Sequence, residues 1–284
     1  MLEIDVTPEE KKSEVLSDVH LKQACEALET DGFVVLNDVV DHDHLDALHE
    51  KMTEDLEKVL ALPVVPHNFV WGNVQQDPPP FAPYMFRDVI ANPWAIQVTH
   101  AMLGDGIFND YYSGNTNLPG SKLQPAHTDF GQLWDNLEVA PPPARMAVNV
   151  ALADAMEENG SIELWPGSHL DIKMVQGQDL KVSDDVLAAQ REIAPPVRGN
   201  TKKGSMLIRD LRLWHRGMPN VSDKLRFMIA MIHNKVWFRK RWMPKYQTGC
   251  ESVFPECALN HNATFVDGEI DYLTRNTPYN YVGE

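Results

Sequence analysis

Two histidines and one aspartate form the clearest chemical pattern in this chain. His127 and Asp129 stand two residues apart in the segment Gln-Pro-Ala-His-Thr-Asp-Phe. Residues two apart in an extended segment point to the same side, so both side chains can approach one metal ion. His215, far along the chain, is the candidate third ligand. Two imidazoles and one carboxylate on one face of Fe(II) leave the opposite face open for substrate and O₂.

An arginine beyond the third candidate ligand strengthens this interpretation. A His-x-Asp tripeptide alone is weak evidence, and a lone histidine is more often packed or solvated than a ligand. Arg226, however, opens the apolar run Arg-Phe-Met-Ile-Ala-Met-Ile shortly after His215. An arginine at the start of a buried strand needs an anionic partner. That partner is either an acidic residue of the protein or the distal carboxylate of a dicarboxylic cosubstrate.

The N-terminal third of the chain has mainly helical periodicity. Thr7-Pro8 is typical of a helix start, and Asp31-Gly32 of a helix end. Phe33–Leu36 is predicted as a short buried strand, and Asp41 as the cap of an amphipathic helix. An irregular Pro-rich excursion over residues 63–83 precedes a helix that is predicted over Asp88–Leu103.

Short apolar runs separated by Gly, Pro and Asn follow Gly104 and indicate a β-sandwich or jelly roll. The predicted strands are Ile107–Tyr112, Leu123–His127, Met146–Leu152, Ser161–Leu164, Ile193–Pro195, Ser205–Ile208, Leu213–His215 and Arg226–Ile232. Helices first and a double sheet later predict one α+β domain. Residues 1–104 form its mainly helical flank, residues 105–235 its jelly-roll core, and residues 236–284 a tail without an assignment.

The ordered set of motifs resembles the phytanoyl-CoA dioxygenase family of Fe(II)/2-oxoglutarate-dependent oxygenases. The resemblance runs from about Phe33 to His233 and is best over His127–Asp129, over Asn159–His169 and from His215 to Arg226. It implies a double-stranded β-helix (jelly roll) with flanking N-terminal helices, and iron ligation by the two histidines and the aspartate. It also implies that Arg226 binds the distal carboxylate of 2-oxoglutarate.

Asn149 is a candidate for a second cosubstrate contact. In the run Arg-Met-Ala-Val-Asn-Val-Ala-Leu, alternation places Asn149 on the same face as Ala147 and Ala151. These small residues would leave room beside the amide for a ligand. The alternative is an amide that is bonded to neighbouring backbone.

The resemblance implies a dioxygenase that uses Fe(II), 2-oxoglutarate and O₂. Related halogenases carry Gly or Ala at the position of Asp129, so a carboxylate there favours oxygenation, most simply hydroxylation of a small or medium organic molecule with release of succinate and CO₂. Phe130 and Trp134 follow the metal motif directly and are expected to line the substrate pocket. Four aromatic residues of the Pro-rich excursion could complete its wall: Trp71, Phe81, Tyr84 and Phe86.

Net charge, cysteine content and the lengths of apolar runs limit the partners and the cellular compartment that the sequence predicts. The formal net charge of -16 makes nucleic acid or an anionic membrane surface an unfavourable partner. Three cysteines without a CxxC spacing, an acidic N-terminus and no apolar run of membrane-spanning length predict a cytoplasmic protein. Nothing in the sequence defines an oligomeric state.

Two other classes of function remain open at this level. One is a cupin-like jelly-roll protein that holds a metal and isomerises or binds a ligand without 2-oxoglutarate. The other is a catalytically silent binding module. Arg226 after His215 counts against the first, and the intact ligand set counts against the second.

Overall fold

The computed structural model describes residues 1–239 and 243–281, which form strands, α-helices and two single 3₁₀ turns. The strands are β1 (Glu3–Asp5), β2 (Phe33–Asn37), β3 (Asn73–Gln75), β4 (Phe108–Asn117), β5 (Arg145–Ala151), β6 (Ile162–Leu164), β7 (Val197–Gly199), β8 (Met206–Asp210), β9 (His215–Arg216), β10 (Arg226–Asn234), β11 (Lys245–Gln247) and β12 (Thr264–Val266). The helices are α1 (Pro8–Ser13), α2 (Asp18–Thr30), α3 (His42–Leu60), α4 (Arg87–Ile90), α5 (Pro93–Leu103) and α6 (Asp184–Ile193), with 3₁₀ turns at Ser168–Leu170 and Glu251–Val253.

A seven-stranded sheet in the order β1-β2-β8-β5-β10-β4-β3 forms one wall of the molecule. Its two faces differ because side chains alternate along each strand. On β5, Met146, Val148 and Val150 enter the main hydrophobic core together with residues of the N-terminal helices. Ala147 and Asn149 point the other way and line a cavity. Helices therefore cover one face of this sheet, and the opposite face is available for a site.

A smaller sheet, β7-β6-β9, forms the opposite wall. Single β-bridges extend it, since His127 pairs with His215 on one side and with Lys181 on the other. Two sheets that enclose a cavity form the predicted jelly roll, with helices packed outside. No helix among residues 1–239 and 243–281 has the length and apolarity needed to cross a membrane.

The predicted helix starts are present in the structure. Thr7 and Glu10 form a reciprocal capping box at α1, and the Asp41 side chain caps α3. The helix predicted over Asp88–Leu103 is divided into α4 and α5. Asn92 caps α5 and Pro93 is its first residue, so the break comes from a proline that cannot continue the preceding turn.

Four of the predicted strands match β5, β6, β8 and β10 closely, and the one predicted from Ile107 extends as β4 to Asn117. The strand predicted at Ile193–Pro195 was wrong. Ile193 ends α6, whose acidic first turn and buried Leu187 mark an amphipathic helix, and β7 begins only at Val197.

The structure differs from the predicted layout in the helical flank and in the segment that leads to the metal motif. β1, β2 and β3 come from the predicted helical flank but belong to the seven-stranded sheet. Leu123–His127 is extended but irregular, and only His127 makes β-bridges, because Pro125 has no N–H for a ladder. The metal motif is therefore an extended segment that is bridged to its neighbours.

The C-terminal tail packs along the body of the protein. β11 and β12 form a parallel ribbon, and Tyr246 on β11 is completely buried. Farther along, the Tyr272 hydroxyl donates a 2.5 Å hydrogen bond to Oδ2 of the fully buried Asp55 on α3. The tail finally reaches the cavity, where Tyr279 and Asn280 line the wall.

Removing the Tyr272 hydroxyl is expected to loosen this attachment. Tyr272→Phe takes one donor from a buried carboxylate, so the free energy of unfolding should fall by about 1.5–3 kcal/mol. Urea denaturation monitored by fluorescence measures the loss. Tyr84→Phe is the matched control, because the Tyr84 hydroxyl makes no hydrogen bond within residues 1–239 and 243–281. Equal losses in the two variants would contradict a specific anchor at Asp55.

Candidate metal centre

The three predicted ligands meet at one end of the cavity. One ligand atom each from His127, Asp129 and His215 lies within 4.8 Å of the others. Nε2 of His127 is 3.9 Å from Oδ1 of Asp129, and Nε2 of His215 is 3.6 Å from the same oxygen. The smaller sheet brings the histidines together, because their backbones exchange two hydrogen bonds of 2.9 Å.

Both imidazoles are oriented by the same local contact. Nδ1 of His127 is 2.9 Å from the Pro125 carbonyl oxygen, and Nδ1 of His215 is 2.9 Å from that of Leu213. A carbonyl can only accept, so Nδ1 carries the proton and donates, which leaves the Nε2 lone pair for a metal. Burial lowers the pKa of His127, and it lowers the pKa of His215 to about 3. Both rings are therefore neutral and ready to bind at neutral pH.

Asp129 reaches into the cavity and is held by a buried cation. Its side chain is 37% exposed, whereas each histidine side chain is 7% exposed. Burial alone would raise the pKa of Asp129, but the positive charge of Arg209 outweighs it and holds that pKa well below the ordinary value. Nη2 of Arg209 donates to Oδ2 of Asp129 at 2.5 Å. The carboxylate therefore remains ionised.

These features fit a divalent metal of the transition series. Two neutral imidazole nitrogens and one carboxylate oxygen converge without a fourth His, Cys, Asp or Glu ligand among the described residues. Such a donor set, open on one side, is the facial arrangement of non-haem Fe(II) oxygenases rather than a closed structural zinc site. The open side faces a cavity of about 620 Å³.

Arg226 lines the same cavity, and its guanidinium has no anionic partner in the part of the chain that the structure describes. Because side chains alternate along β10, Met228, Ala230 and Ile232 share its face and line the wall beside it. Arg226 is buried, forms no ion pair within residues 1–239 and 243–281, and has a buried Nε without an acceptor. Burial, aided by the nearby charge of Arg198, lowers its pKa to about 10, so it is a cation at neutral pH. Nothing in the described part of the chain compensates this buried cation, so a bound anion would be stabilised here.

Asn149 also lines the cavity, and its amide contacts side chains rather than backbone. Its Oδ1 accepts a 3.2 Å hydrogen bond from Nε of Arg209. Its Nδ2 lies 3.1 Å from Sδ of Met228. Asn149 therefore stands between the cation that holds Asp129 and the strand that carries Arg226. This position is compatible with the predicted cosubstrate contact.

The structure does not bring Phe130 and Trp134 to the metal cavity. They line a separate cavity of about 230 Å³. Phe130 is buried against Phe108 and Phe238, and Trp134 is exposed. Because the chain turns after Asp129, these two rings do not lie beside the metal ligands. Of the described residues, the aromatic side chains of the Pro-rich excursion named above also lie outside the metal cavity: Trp71, Phe81, Tyr84 and Phe86.

Two other aromatic residues lie beside the predicted ligand His127. The Phe69 ring centroid is 4.4 Å from that of His127, and Tyr279 meets Phe69 edge to face at 5.3 Å. The backbone N–H of Phe69 donates to the Tyr279 carbonyl oxygen at 2.8 Å. Residues so distant in sequence carry no shared pattern, so this contact had no sequence signal.

Arg209 was also missed, although a signal existed. It interrupts the buried run Met-Leu-Ile-Arg-Asp of β8, much as Arg226 opens an apolar strand. The argument that a buried arginine needs an anion would have applied equally to it.

Comparison with known proteins places these features in a family. The model of the phytanoyl-CoA dioxygenase (PhyH) family matches residues 28–228, more than half of the chain. A curated relative from Aspergillus fumigatus, named dioxygenase af480, is 27% identical over 203 residues. That alignment covers 68% of this chain and 61% of the relative, so the chain spans less than two thirds of the relative's length.

Solved structures share the fold. The non-heme alpha-ketoglutarate-dependent carbocyclase SnoK from nogalamycin biosynthesis is 18% identical with a TM-score of 0.56, over 78% of this chain and 86% of SnoK. AviO1 from Streptomyces viridochromogenes Tue57 is 22% identical, with a TM-score of 0.55 over 79% and 99%. EctD from S. alaskensis, solved with 2-oxoglutarate and 5-hydroxyectoine, is 22% identical, with a TM-score of 0.57 over 78% and 77%. At such identities the likeness establishes the fold alone, and it confirms the predicted jelly roll.

Proposed function

The chain belongs to the phytanoyl-CoA dioxygenase family, and from that premise we propose that it is a non-haem Fe(II)- and 2-oxoglutarate-dependent dioxygenase. One observation carries the proposal. A facial set of two neutral imidazoles and an ionised carboxylate opens into the same cavity as a buried arginine that has no anionic partner among the described residues. The first feature suits Fe(II), and the second suits the distal carboxylate of a dicarboxylic 2-oxo acid.

Each of the site residues described above has a defined role in this proposal. His127, Asp129 and His215 would hold the iron, with their orientation set by the carbonyl contacts and by Arg209. Arg226 would bind and orient the far end of 2-oxoglutarate. When bound together, Fe(II), 2-oxoglutarate and O₂ supply the oxidising power that oxygenates a C–H bond, with succinate and CO₂ as co-products.

Hydroxylation is the outcome that the ligand set favours. Asp129 occupies a position that would have to be vacated for a halide to join the metal. Because the carboxylate stays ionised beside Arg209, it competes strongly with any such anion. Oxygen transfer to carbon is therefore the simplest chemistry for this centre.

The cavity supports a small or medium organic substrate. A volume of about 620 Å³ lies within the roughly 300–1,000 Å³ of typical small-molecule sites. Phe69 and Tyr279 contribute apolar area, and Gln176, Gln178 and Asn280 contribute uncharged hydrogen-bonding groups. A neutral molecule with an apolar body and polar substituents suits such walls better than a polyanion.

A CoA thioester is a poorer match to these walls. Among the described residues, the cations that line the cavity are Arg145, Lys181, Arg209 and Arg226. Arg145 and Arg209 already bond acidic side chains, and Arg226 is reserved for the cosubstrate in our proposal. Lys181 alone could not neutralise several phosphate groups.

We place the protein in the cytoplasm as part of the same proposal. Cys25, Cys250 and Cys257 are all unpaired, which suits a reducing compartment.

Iron-dependent conversion of 2-oxoglutarate tests the proposal. The purified protein is expected to form succinate slowly with Fe(II), ascorbate and O₂ even without its substrate. Under anaerobic conditions, 2-oxoglutarate added to the Fe(II) protein should produce the charge-transfer absorption of a chelated 2-oxo acid. The Zn(II)-loaded protein is the control and should do neither. Absence of both signals from the Fe(II) protein would favour a cupin-like metal protein instead.

A further inference from the structure

Arg209 is a buried cation that contacts two cavity groups at once. It lies on β8, and its side chain is 7% exposed. Nη2 donates to Oδ2 of Asp129 at 2.5 Å, and Nε donates to Oδ1 of Asn149 at 3.2 Å. Its Nη1 is buried in the cavity wall without an acceptor among the described residues. One planar guanidinium therefore sets the positions of a predicted metal ligand and of a predicted cosubstrate contact.

The two oxygens of Asp129 have different environments. Oδ1 faces the imidazoles, at 3.6 Å from Nε2 of His215 and 3.9 Å from Nε2 of His127. Oδ2 is taken by the Arg209 guanidinium. A metal ion between the three side chains would therefore meet Oδ1, while Oδ2 already has a charged donor. A carboxylate divided in this way is poorly placed to give both oxygens to one ion.

We propose that Arg209 is a positioning residue that keeps Asp129 a one-oxygen ligand. The inference rests on the proposed function and extends it to a residue outside the ligand set. A carboxylate bound through both oxygens would occupy an additional coordination position. With Oδ2 held by Arg209, the face opposite the triad keeps room for both chelating groups of 2-oxoglutarate and for O₂.

The fold explains why this cation can lie where it does. In the sheet, Arg209 on β8 stands directly opposite Ala147 on β5. The small alanine leaves space for the guanidinium to cross toward the cavity. The ionised Asp129 compensates the buried charge, and Asn149 satisfies a further donor. The remaining donor, Nη1, has no such partner in residues 1–239 and 243–281.

A purely structural role predicts different behaviour. In that case, loss of Arg209 would lower stability without a specific effect on chelation of 2-oxoglutarate. Partners that orient metal ligands typically change metal affinity or activity by about 10–100-fold when they are replaced. Ligand binding to the metal therefore distinguishes the two roles better than stability does.

The variants Arg209→Gln and Arg209→Lys test the proposal, with Arg212→Gln as the matched control. Arg212 is also a buried arginine, two residues beyond the end of β8, but it pairs with Asp210 and does not line the metal cavity. Three quantities are measured anaerobically for each protein: the Kd for Fe(II), the Kd of the Fe(II) form for 2-oxoglutarate from the charge-transfer absorption, and the Tm.

In Arg209→Gln the freed Oδ2 of Asp129 can add to the donors of the metal, so we expect Fe(II) affinity to stay within a few-fold of wild type. The position that this oxygen occupies is lost to 2-oxoglutarate, which should bind at least ~10-fold more weakly. Arg209→Lys should recover part of that loss, because an ammonium can still hold Oδ2. Arg212→Gln should lose Tm but keep the affinity for 2-oxoglutarate. A wild-type affinity for 2-oxoglutarate in Arg209→Gln would overturn the proposal, and so would a loss confined to Fe(II).

Failure of the proposed function itself is recognisable, because then the wild-type Fe(II) protein shows no charge-transfer absorption. If Arg209→Gln does not fold, the wild-type protein crystallised with Mn(II) and 2-oxoglutarate decides. One Asp129 oxygen on the metal with the other on Arg209 supports the proposal, and two oxygens on the metal refute it.

Discussion

Asp129→Ala is expected to abolish Fe(II) binding and, with it, any conversion of 2-oxoglutarate. The substitution removes the single anionic ligand, so His127 and His215 alone face the ion. It also leaves Arg209 as a buried cation without its carboxylate, directly beside the metal position. Replacing a residue that only orients a metal ligand typically lowers metal affinity or activity by about 10–100-fold. Loss of a ligand itself, next to an uncompensated positive charge, should lower the affinity for Fe(II) by roughly a hundredfold or more.

Iron content after anaerobic loading, together with succinate formation, measures this loss. Asp179→Ala is the matched control, because Asp179 lines the same cavity but lies outside the ligand cluster. It should retain its iron. The substitution at Asp129 also clears a coordination position, but the unpaired Arg209 makes loss of the metal the dominant effect. Wild-type iron content and turnover in Asp129→Ala would remove Asp129 from the ligand set.

Arg226→Ala is expected to weaken 2-oxoglutarate binding by a hundredfold or more while Fe(II) binding persists. Without the arginine, the distal carboxylate enters a buried site unpaired, which costs about 3–5 kcal/mol by analogy with broken buried pairs. At about 1.4 kcal/mol per tenfold change, this cost corresponds to a loss of a hundredfold or more in affinity for 2-oxoglutarate. Arg226→Lys should recover little, because an ammonium cannot reproduce the paired donors of a guanidinium.

Titration of 2-oxoglutarate into the Fe(II) proteins measures the change, and Lys181→Ala is the control. Lys181 is also a cation that lines the cavity, but it is exposed to solvent. Its Nζ lies 5.9 Å from the centroid of the Phe69 ring. Equal affinity of wild type and Arg226→Ala for 2-oxoglutarate would end the cosubstrate assignment.

Thermal stability provides an independent check on the same residue. Arg226 is buried and unpaired within the described residues. Arg226→Met should therefore leave the Tm of the ligand-free protein unchanged or raise it, because a buried charge without a partner is costly. Added 2-oxoglutarate should raise the Tm of the Fe(II) wild type and not that of the variant. A large loss of Tm would indicate that Arg226 pairs with the protein.

The candidate metal ligands could be identified from the sequence because their geometry is largely local. An extended backbone places His127 and Asp129 on one side whatever the rest of the fold does. The same alternation placed Arg226 with Met228, and Asn149 with Ala147, on the cavity face of the large sheet. A buried arginine in an apolar strand requires an anion in any fold, so its presence could be interpreted before its surroundings were known.

Predictions that placed a residue from its immediate neighbours in the sequence were less accurate. Phe130 follows Asp129 directly, yet it packs against Phe108 and Phe238 and lines the second cavity. Adjacency along the chain does not determine which side of a wall a ring occupies once the backbone turns. Ile193 was likewise predicted in a strand, but it is the last residue of the amphipathic helix α6. The short apolar run around Ile193 did not reveal the longer helical periodicity that precedes it.

By itself, the sequence determined the jelly roll with flanking helices, the three candidate ligands and the arginine of the cavity, because each follows from a period, a spacing or the cost of a buried charge. Tertiary structure alone decided what surrounds them. Phe69 and Tyr279 meet beside His127 only because the C-terminal tail returns to the cavity. Arg209 reaches Asp129 only because β8 lies beside β5. Contacts between residues so distant in sequence depend on sheet order and packing, which no local pattern encodes.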